Sequence, residues 1–204
     1  MRTKMIVAAL GFAALQTAPV MAQVANLDGG PMGIERVAMS VGSPIPYLSE
    51  QATDGVPNWV QIDLGAAFPV EAVKLYPFFQ DTGDRGPHSH NFPSRFRIEA
   101  SADESFASPY TVMDQTASDF IGYPLEIKTY RLTRPVQARY VRLTVFKPDV
   151  FELWRFEVIS GGRDVAEGKT LADSNKGNLG NHVLLRAPRP EGETVWFDRP
   201  EQVT

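Results

Sequence analysis

The sequence lacks cysteine, so no disulfide can stabilise the fold. Among its 204 residues it has only three histidines and three tryptophans. It also has no Gly-x-Ser-x-Gly, no His-Glu-x-x-His and no phosphate-binding glycine loop, the motifs of common hydrolases, zinc peptidases and nucleotide-dependent enzymes. These absences leave catalysis without a candidate residue, and they require a hydrophobic core to supply the stability of the fold.

Long apolar runs are scarce, and the one at the N-terminus is too short to span a bilayer. Residues 5–15 read MIVAALGFAAL, whereas a transmembrane helix needs about 20 apolar residues. Arg2 and Lys4 precede this run and Ala22 closes a small-residue cleavage pattern, an arrangement typical of a secretory signal peptide. We predict cleavage after Ala22 and a mature protein that is secreted, periplasmic or at the cell surface, without membrane insertion.

Positive charge is also limited. The full chain has 20 Lys and Arg against 24 Asp and Glu, a net charge of −4. Loss of the signal peptide with Arg2 and Lys4 makes the net charge −6. Because nucleic-acid binding depends on neutralising phosphates with Lys and Arg, this balance disfavours a nucleic-acid partner.

The mature sequence is dominated by short strand patterns. In residues 59–64, WVQIDL, the side chains of Val60, Ile62 and Leu64 fall on one face of a strand and predict its core side. No amphipathic helical stripe extends over three turns, so the sequence predicts an all-β fold, an antiparallel β-sandwich. The other predicted strands are residues 70–76, 95–100, 110–113, 129–132, 139–146 and 153–159.

The C-terminal part has a different composition. Gly161 and Gly162 end the last predicted strand with a turn. Residues 163–204 are polar, with short apolar patches at 183–185 and 194–197. We expect a sandwich domain over residues 23–162, followed by a segment, 163–204, that either begins a further module or adds edge strands to the sandwich; the small amount of apolar material favours the first.

The order of several motifs resembles the discoidin, or coagulation-factor type C, family. These motifs are ATDG and WVQIDLG, VEAVKLYP, FPSRFRIEASAD, ARYVRLTV and LWRFEVISGGR. The resemblance covers residues 40–162 and implies a galactose-binding-like jelly roll, which is also the fold of many bacterial carbohydrate-binding modules. Residues 162–169, GRDVAEGK, resemble the opening of another such module in multidomain secreted proteins, which fits a modular C-terminus.

Residues 78–92, FFQDTGDRGPHSHNF, form the longest polar connection between predicted strands. Planar donors and acceptors can meet sugar hydroxyls, and an aromatic ring can cover the apolar face of a sugar. Composition alone favours a solvated surface loop, but the resemblance implies a sugar site, since sugar-binding members use His, Arg and Asn from such loops. The predicted ligand-binding residues are Phe79, Arg85, His88, His90 and Asn91.

The sequence supports a metal site less well than it supports a sugar site. His88 and His90 are two residues apart, but the next glutamate is Glu99, too far along for a cupin metal site. The resemblance implies a structural calcium at the Asp54-Gly55 loop, bound together with a glutamate of the last strand. Arg155 stands at that glutamate position. Asp54 is therefore a candidate calcium ligand, a salt-bridge partner of Arg155 or the cap of a turn.

Large aromatic side chains near strands are usually buried. We therefore expect Trp59, Phe151 and Trp154 to pack in the core rather than to bind ligand.

These observations predict a secreted, non-catalytic carbohydrate-binding module that recognises a cell-surface or extracellular glycan. One alternative is an N-terminal accessory module of a larger secreted glycoside hydrolase or lyase. A second is a structural or protein-binding module of an envelope assembly. Across these three hypotheses, the predicted partners are carbohydrate, further domains or envelope proteins.

Overall fold

The computed structural model describes residues 32–37, 46–52, 55–81, 87–89, 91–121, 126–147, 150–174, 185 and 192–197. The predicted signal peptide, Asp54, Arg85 and His90 lie outside these residues. Within the described ranges all regular structure is β, and no helix there could cross a membrane.

The strands follow the alternating segments of the sequence. Their bounds are β1 Met32–Val37, β2 Tyr47–Leu48, β3 Asn58–Pro77, β4 Phe79–Asp81, β5 Pro87–Ser89, β6 Arg95–Ser101, β7 Tyr110–Asp114, β8 Lys128–Lys147, β9 Glu152–Ser160, β10 Arg163–Asp164, β11 Thr170–Asp173 and β12 Gly192–Phe197.

All strand pairs are antiparallel, and the main sheet has the order β10-β9-β3-β8-β6-β7. β11 pairs with β3, and β2 pairs with β9. β1 pairs with β12, and β4 pairs with β5, as separate two-stranded sheets. The predicted all-β, antiparallel sandwich is confirmed.

Two long strands, β3 and β8, connect the layers of the sandwich. Each was predicted as two separate strands, but each runs through a bend at which the β3–β8 register shifts. At the bend of β3, Gly65 has a φ of 79°, and its amide donates a 2.8 Å hydrogen bond to Asp63 Oδ1. A positive φ suits glycine, because it has no Cβ.

The core lies between the two arms of these bent strands. Val60, Ile62 and Leu64 are fully buried, as the alternation predicts. From the other arm of β3, Val73 and Leu75 join the same core cluster, which Phe156 of β9 completes from the neighbouring strand. Burial of apolar surface on this scale is the main stabilising contribution to the fold.

The three aromatic predictions have different outcomes. Phe151 is fully buried in the core, and Trp154 is buried, so both predictions are confirmed. The prediction for Trp59 is wrong. Its ring lies on the outer face of β3, half-buried, with the Arg142 guanidinium 5.4 Å from the ring centroid.

The sheet continues past Gly162, where the sequence suggested a domain boundary. Gly161 and Gly162 have positive φ and reverse the chain into β10, which pairs with β9; β11 then pairs with β3. Ala166 and Leu185 are buried in the core cluster. Residues 163–174 are therefore edge strands and turns of the sandwich, because their few apolar side chains are used to complete its core.

Candidate functional site

One end of the sandwich, which we call the loop end, is marked by Ser49, Asn58, Asn91, Lys147 and Phe151. The amide of Ser49 donates to the Phe151 carbonyl at 3.0 Å, and Asn58 Nδ2 donates to Ser49 Oγ at 3.2 Å. These bonds place the start of β3 beside the start of β9, which also pairs with Pro77 at the end of β3. Both ends of the bent strand β3 thus meet here.

The hairpin of β4 and β5 carries two of the predicted sugar-binding residues, Phe79 and His88. It starts two residues after Pro77, and its register pairs Phe79 with Ser89 and Gln80 with His88. The backbones of Phe79 and His88 therefore belong to one hairpin that leaves the sandwich at the loop end. Arg85 and His90 lie outside the described residues, so their side-chain positions remain predictions.

Asn91 is the predicted residue whose side chain the structure describes. Its φ is 46°, in the left-handed region that asparagine tolerates better than most residues. Its Nδ2 donates a 2.9 Å hydrogen bond to Glu152 Oε1, and its carbonyl accepts a 3.0 Å bond from the Glu152 amide. The base of the hairpin is thus hydrogen-bonded to Glu152, the first residue of β9.

Exposed apolar side chains are concentrated at the loop end. Among the described side chains, the large hydrophobic groups that are exposed are Leu48 at 49%, Val56 at 58%, Ile121 at 92% and Phe146 at 45%. Three of them lie near a residue that marks the loop end: Leu48 precedes Ser49, Val56 lies two residues before Asn58, and Phe146 precedes Lys147. The fourth, Ile121, lies two residues after Asp119, whose carboxylate accepts a hydrogen bond from Lys147. Sequence reasoning missed them, since a residue at a strand end can face either the core or solvent.

A charged cluster lies beside Phe146. Asp119 accepts hydrogen bonds from Arg95 Nε and, at 2.7 Å, from Lys147 Nζ. These bonds, first the one from Lys147, lower the pKa of Asp119 below its ordinary value. All three side chains are exposed, so the cluster offers charged donors and acceptors to a ligand at this surface.

An aromatic cluster packs beneath the same surface. The Phe120 ring lies 6.1 Å from Phe92 and 6.4 Å from Phe96, and Lys128 Nζ lies 4.4 Å from its centroid. Phe92, the last residue of the 78–92 connection, packs against the core and is therefore less available to stack on a sugar. Near Phe96, the Tyr130 hydroxyl is buried without a hydrogen-bond partner among the described residues, and burial raises its pKa.

The residues around Arg155 do not fit a calcium ion. Arg155 is 3% exposed and donates to Glu157 Oε1 at 2.8 Å and to Asp164 Oδ2 at 2.7 Å. At the position where the resemblance implies a carboxylate ligand, a fixed cation would repel Ca²⁺. Within the described ranges, no group of three His, Asp or Glu side chains is arranged to hold a metal ion.

A comparison with known protein families agrees with this fold. The model of the F5/8 type C domain family matches residues 38–155, more than half of the chain. The chain belongs to the F5/8 type C domain family. The resemblance seen in the sequence motifs is thereby confirmed, and the described F5/8 type C domain extends beyond the match through β9, β10 and β11.

Several solved structures are similar to this F5/8 type C domain. They include CpGH89CBM32-6 produced by Clostridium perfringens, at 14% identity and a TM-score of 0.43, covering 57% of this chain and 76% of that one. CBM32-1 from a family 31 glycoside hydrolase of Clostridium perfringens has 18% identity and a TM-score of 0.43, with 56% and 76% covered. Chitosan-binding module 1 from a chitosanase/glucanase of Paenibacillus sp. IK-5 has 23% identity and a TM-score of 0.41, with 64% and 95% covered. No curated protein matches the chain.

Proposed function

We propose that this F5/8 type C domain is an exported, non-catalytic module that binds carbohydrate at its loop end. The observation that carries the proposal is the concentration of exposed apolar side chains at that one end, next to a polar hairpin. A soluble domain exposes such groups together mainly where it meets a ligand or partner.

The chemistry of the loop end suits a sugar. Sugar hydroxyls need several donors and acceptors at once, and the proposed groups are Arg85, His88, His90 and Asn91. The apolar face of a sugar ring needs an aromatic surface, for which Phe79 and the 45% exposed Phe146 are the candidates. The proposed site is shallow, so we expect weak binding that gains strength on polyvalent glycans.

Calcium is not required in this proposal. The buried Arg155 guanidinium already provides a cation between Glu157 and Asp164. Asp54 then serves to cap a turn rather than to bind calcium.

The test is a glycan array probed with the purified chain from Gln23 onward, with and without EDTA. Saturable binding to one glycan class, unchanged by EDTA, is the expected result. The double variant Arg85→Ala, His88→Ala should then lose at least tenfold in affinity at unchanged melting temperature. Arg134→Ala, which removes an exposed arginine from the bend of β8, is the matched control and should bind normally.

Two outcomes would contradict the proposal. If the folded protein binds no glycan on the array and copurifies with an envelope protein, a structural or protein-binding module is favoured. Release of sugar from a bound polysaccharide would show that the module is catalytic. A gene that continues past Thr204 into a hydrolase or lyase domain would instead make this chain the accessory module of that enzyme.

A further inference from the structure

The contact between Asn91 and Glu152 joins two segments that are 61 residues apart in sequence. Two hydrogen bonds link the same pair: Asn91 Nδ2 donates to Glu152 Oε1 at 2.9 Å, and the Glu152 amide donates to the Asn91 carbonyl at 3.0 Å. The pair therefore fixes both the backbone and the side-chain amide of Asn91.

Asn91 needs such support because of its backbone conformation. Its φ of 46° is unfavourable for a residue with a Cβ, and such conformations persist only where the surroundings hold them. Asn91 lies two residues after β5, so its conformation sets the direction in which the chain returns from the hairpin to β6. A different backbone conformation at Asn91 would displace the β4–β5 hairpin relative to the sandwich.

Glu152 is well placed to provide that support. It is 7% exposed, begins β9 and pairs in register with Leu48 of β2. A carboxylate held on a rigid strand is a strong acceptor for an amide hydrogen, and it decides which end of the Asn91 amide faces the protein. No sequence motif indicates this role, since Glu152 lies far from the hairpin along the chain.

We propose that Glu152 is a positioning residue for the carbohydrate site: it holds Asn91 and thereby the base of the β4–β5 hairpin in the geometry that binds glycan. This inference rests on the proposed function. Glu152 acts through Asn91 and needs no contact with the sugar.

The test compares four variants of the mature chain with the wild type: Glu152→Ala, Glu152→Gln, Asn91→Gly and the double variant Glu152→Ala, Asn91→Gly. The probe is the best-bound glycan of the wild-type array, titrated as a free oligosaccharide, and thermal unfolding is measured in parallel. We expect Glu152→Ala to weaken binding at least tenfold. Glu152→Gln keeps an acceptor oxygen and should stay within threefold of the wild type.

The double variant separates positioning from independent effects. Because Glu152 acts through Asn91, the double variant should bind no more weakly than the poorer of the two single variants. Full additivity of the two losses would overturn the proposal, as would wild-type affinity of a folded Glu152→Ala. If Glu152→Ala does not fold, Glu152→Asp shortens the side chain by one methylene, and its unchanged affinity would likewise overturn it.

Failure of this inference is distinguishable from failure of the proposed function. A wild type that binds no glycan overturns both. A wild type that binds glycan, with affinity lost on Arg85→Ala, His88→Ala but not on Glu152→Ala, overturns only the role of Glu152.

Discussion

Arg155 and Asp164 form an ion pair of 2.7 Å in which both side chains are almost fully buried, at 3% and 2% exposure. The pair spans the turn at Gly161 and Gly162 and holds β10 against β9. Asp164 Oδ1 also accepts hydrogen bonds from the amides of Val158 and Ala166. Asp164 belongs to the segment that the sequence suggested as the start of another module. Its ion pair with Arg155, a residue of the last predicted strand, holds that part of the segment against the sandwich.

Replacement of Arg155 should be strongly destabilising. Arg155→Met leaves the carboxylates of Glu157 and Asp164 buried without their cation, so we expect a loss of about 3–5 kcal/mol in the free energy of unfolding. The matched control is Arg97→Met, because Arg97 pairs with Asp114 at the surface, where such pairs contribute about 0–1 kcal/mol. Denaturant unfolding at pH 7 measures both, and equal losses would contradict the prediction.

Stability should depend on pH through Asp63. Arg139 donates two hydrogen bonds of 2.8 Å to the Asp63 carboxylate and thereby lowers the pKa of Asp63 below its ordinary value of 3.8. A lowered pKa in the folded state gives stability that is fully present above the unfolded pKa and is lost as the pH falls through the folded pKa. Asp63→Asn should therefore cost about 1 kcal/mol at pH 7, with little difference from wild type near pH 2.

Chemical denaturation of both proteins between pH 7 and pH 2 measures this difference. Arg139→Ala removes the other half of the pair and should reproduce the same pH profile. A penalty for Asp63→Asn that persists undiminished at pH 2 would show that the carboxylate charge is not its source.

The C-terminal residues should contribute to the stability of the sandwich. Leu185 is 2% exposed in the core cluster, so Leu185→Ala should cost about 2–5 kcal/mol through lost burial and a residual cavity. Leu48→Ala is the control, because Leu48 is 49% exposed and its truncation should change stability by about 0.5 kcal/mol or less. Equal, small effects of both substitutions would show that Leu185 does not pack in the core in solution.

Calcium should not change the thermal stability of the protein. A cation bound at 100 times its dissociation constant would add about 2.7 kcal/mol, or a rise of roughly 5–10 °C in melting temperature for a domain of this size. We expect the same melting temperature in millimolar CaCl2 and in EDTA. A calcium-dependent rise that disappears in Asp54→Ala would instead establish a calcium site at Asp54.

The candidate site could be only partly predicted from the sequence. Residues 78–92 stood out because polar groups, glycines and a proline interrupt the strand pattern there, and the hairpin of β4 and β5 lies in this stretch. Glu152 and Phe146 could not be nominated in the same way. Their importance depends on which segments lie beside them: Asn91 is 61 residues from Glu152 in sequence, and the segment beside Phe146 belongs to another strand, β6.

By itself, the sequence determined the class of fold and most of its strands. The side chains of a strand alternate every two residues, so Val60, Ile62 and Leu64 reveal a buried face without knowledge of their neighbours. Only the tertiary structure decided that paired segments join into the bent strands β3 and β8, and that Trp59 lies outside under Arg142. It likewise decided that Arg155 pairs with Asp164, because contacts across a sheet or a turn depend on register and on what covers each face, which local patterns do not specify.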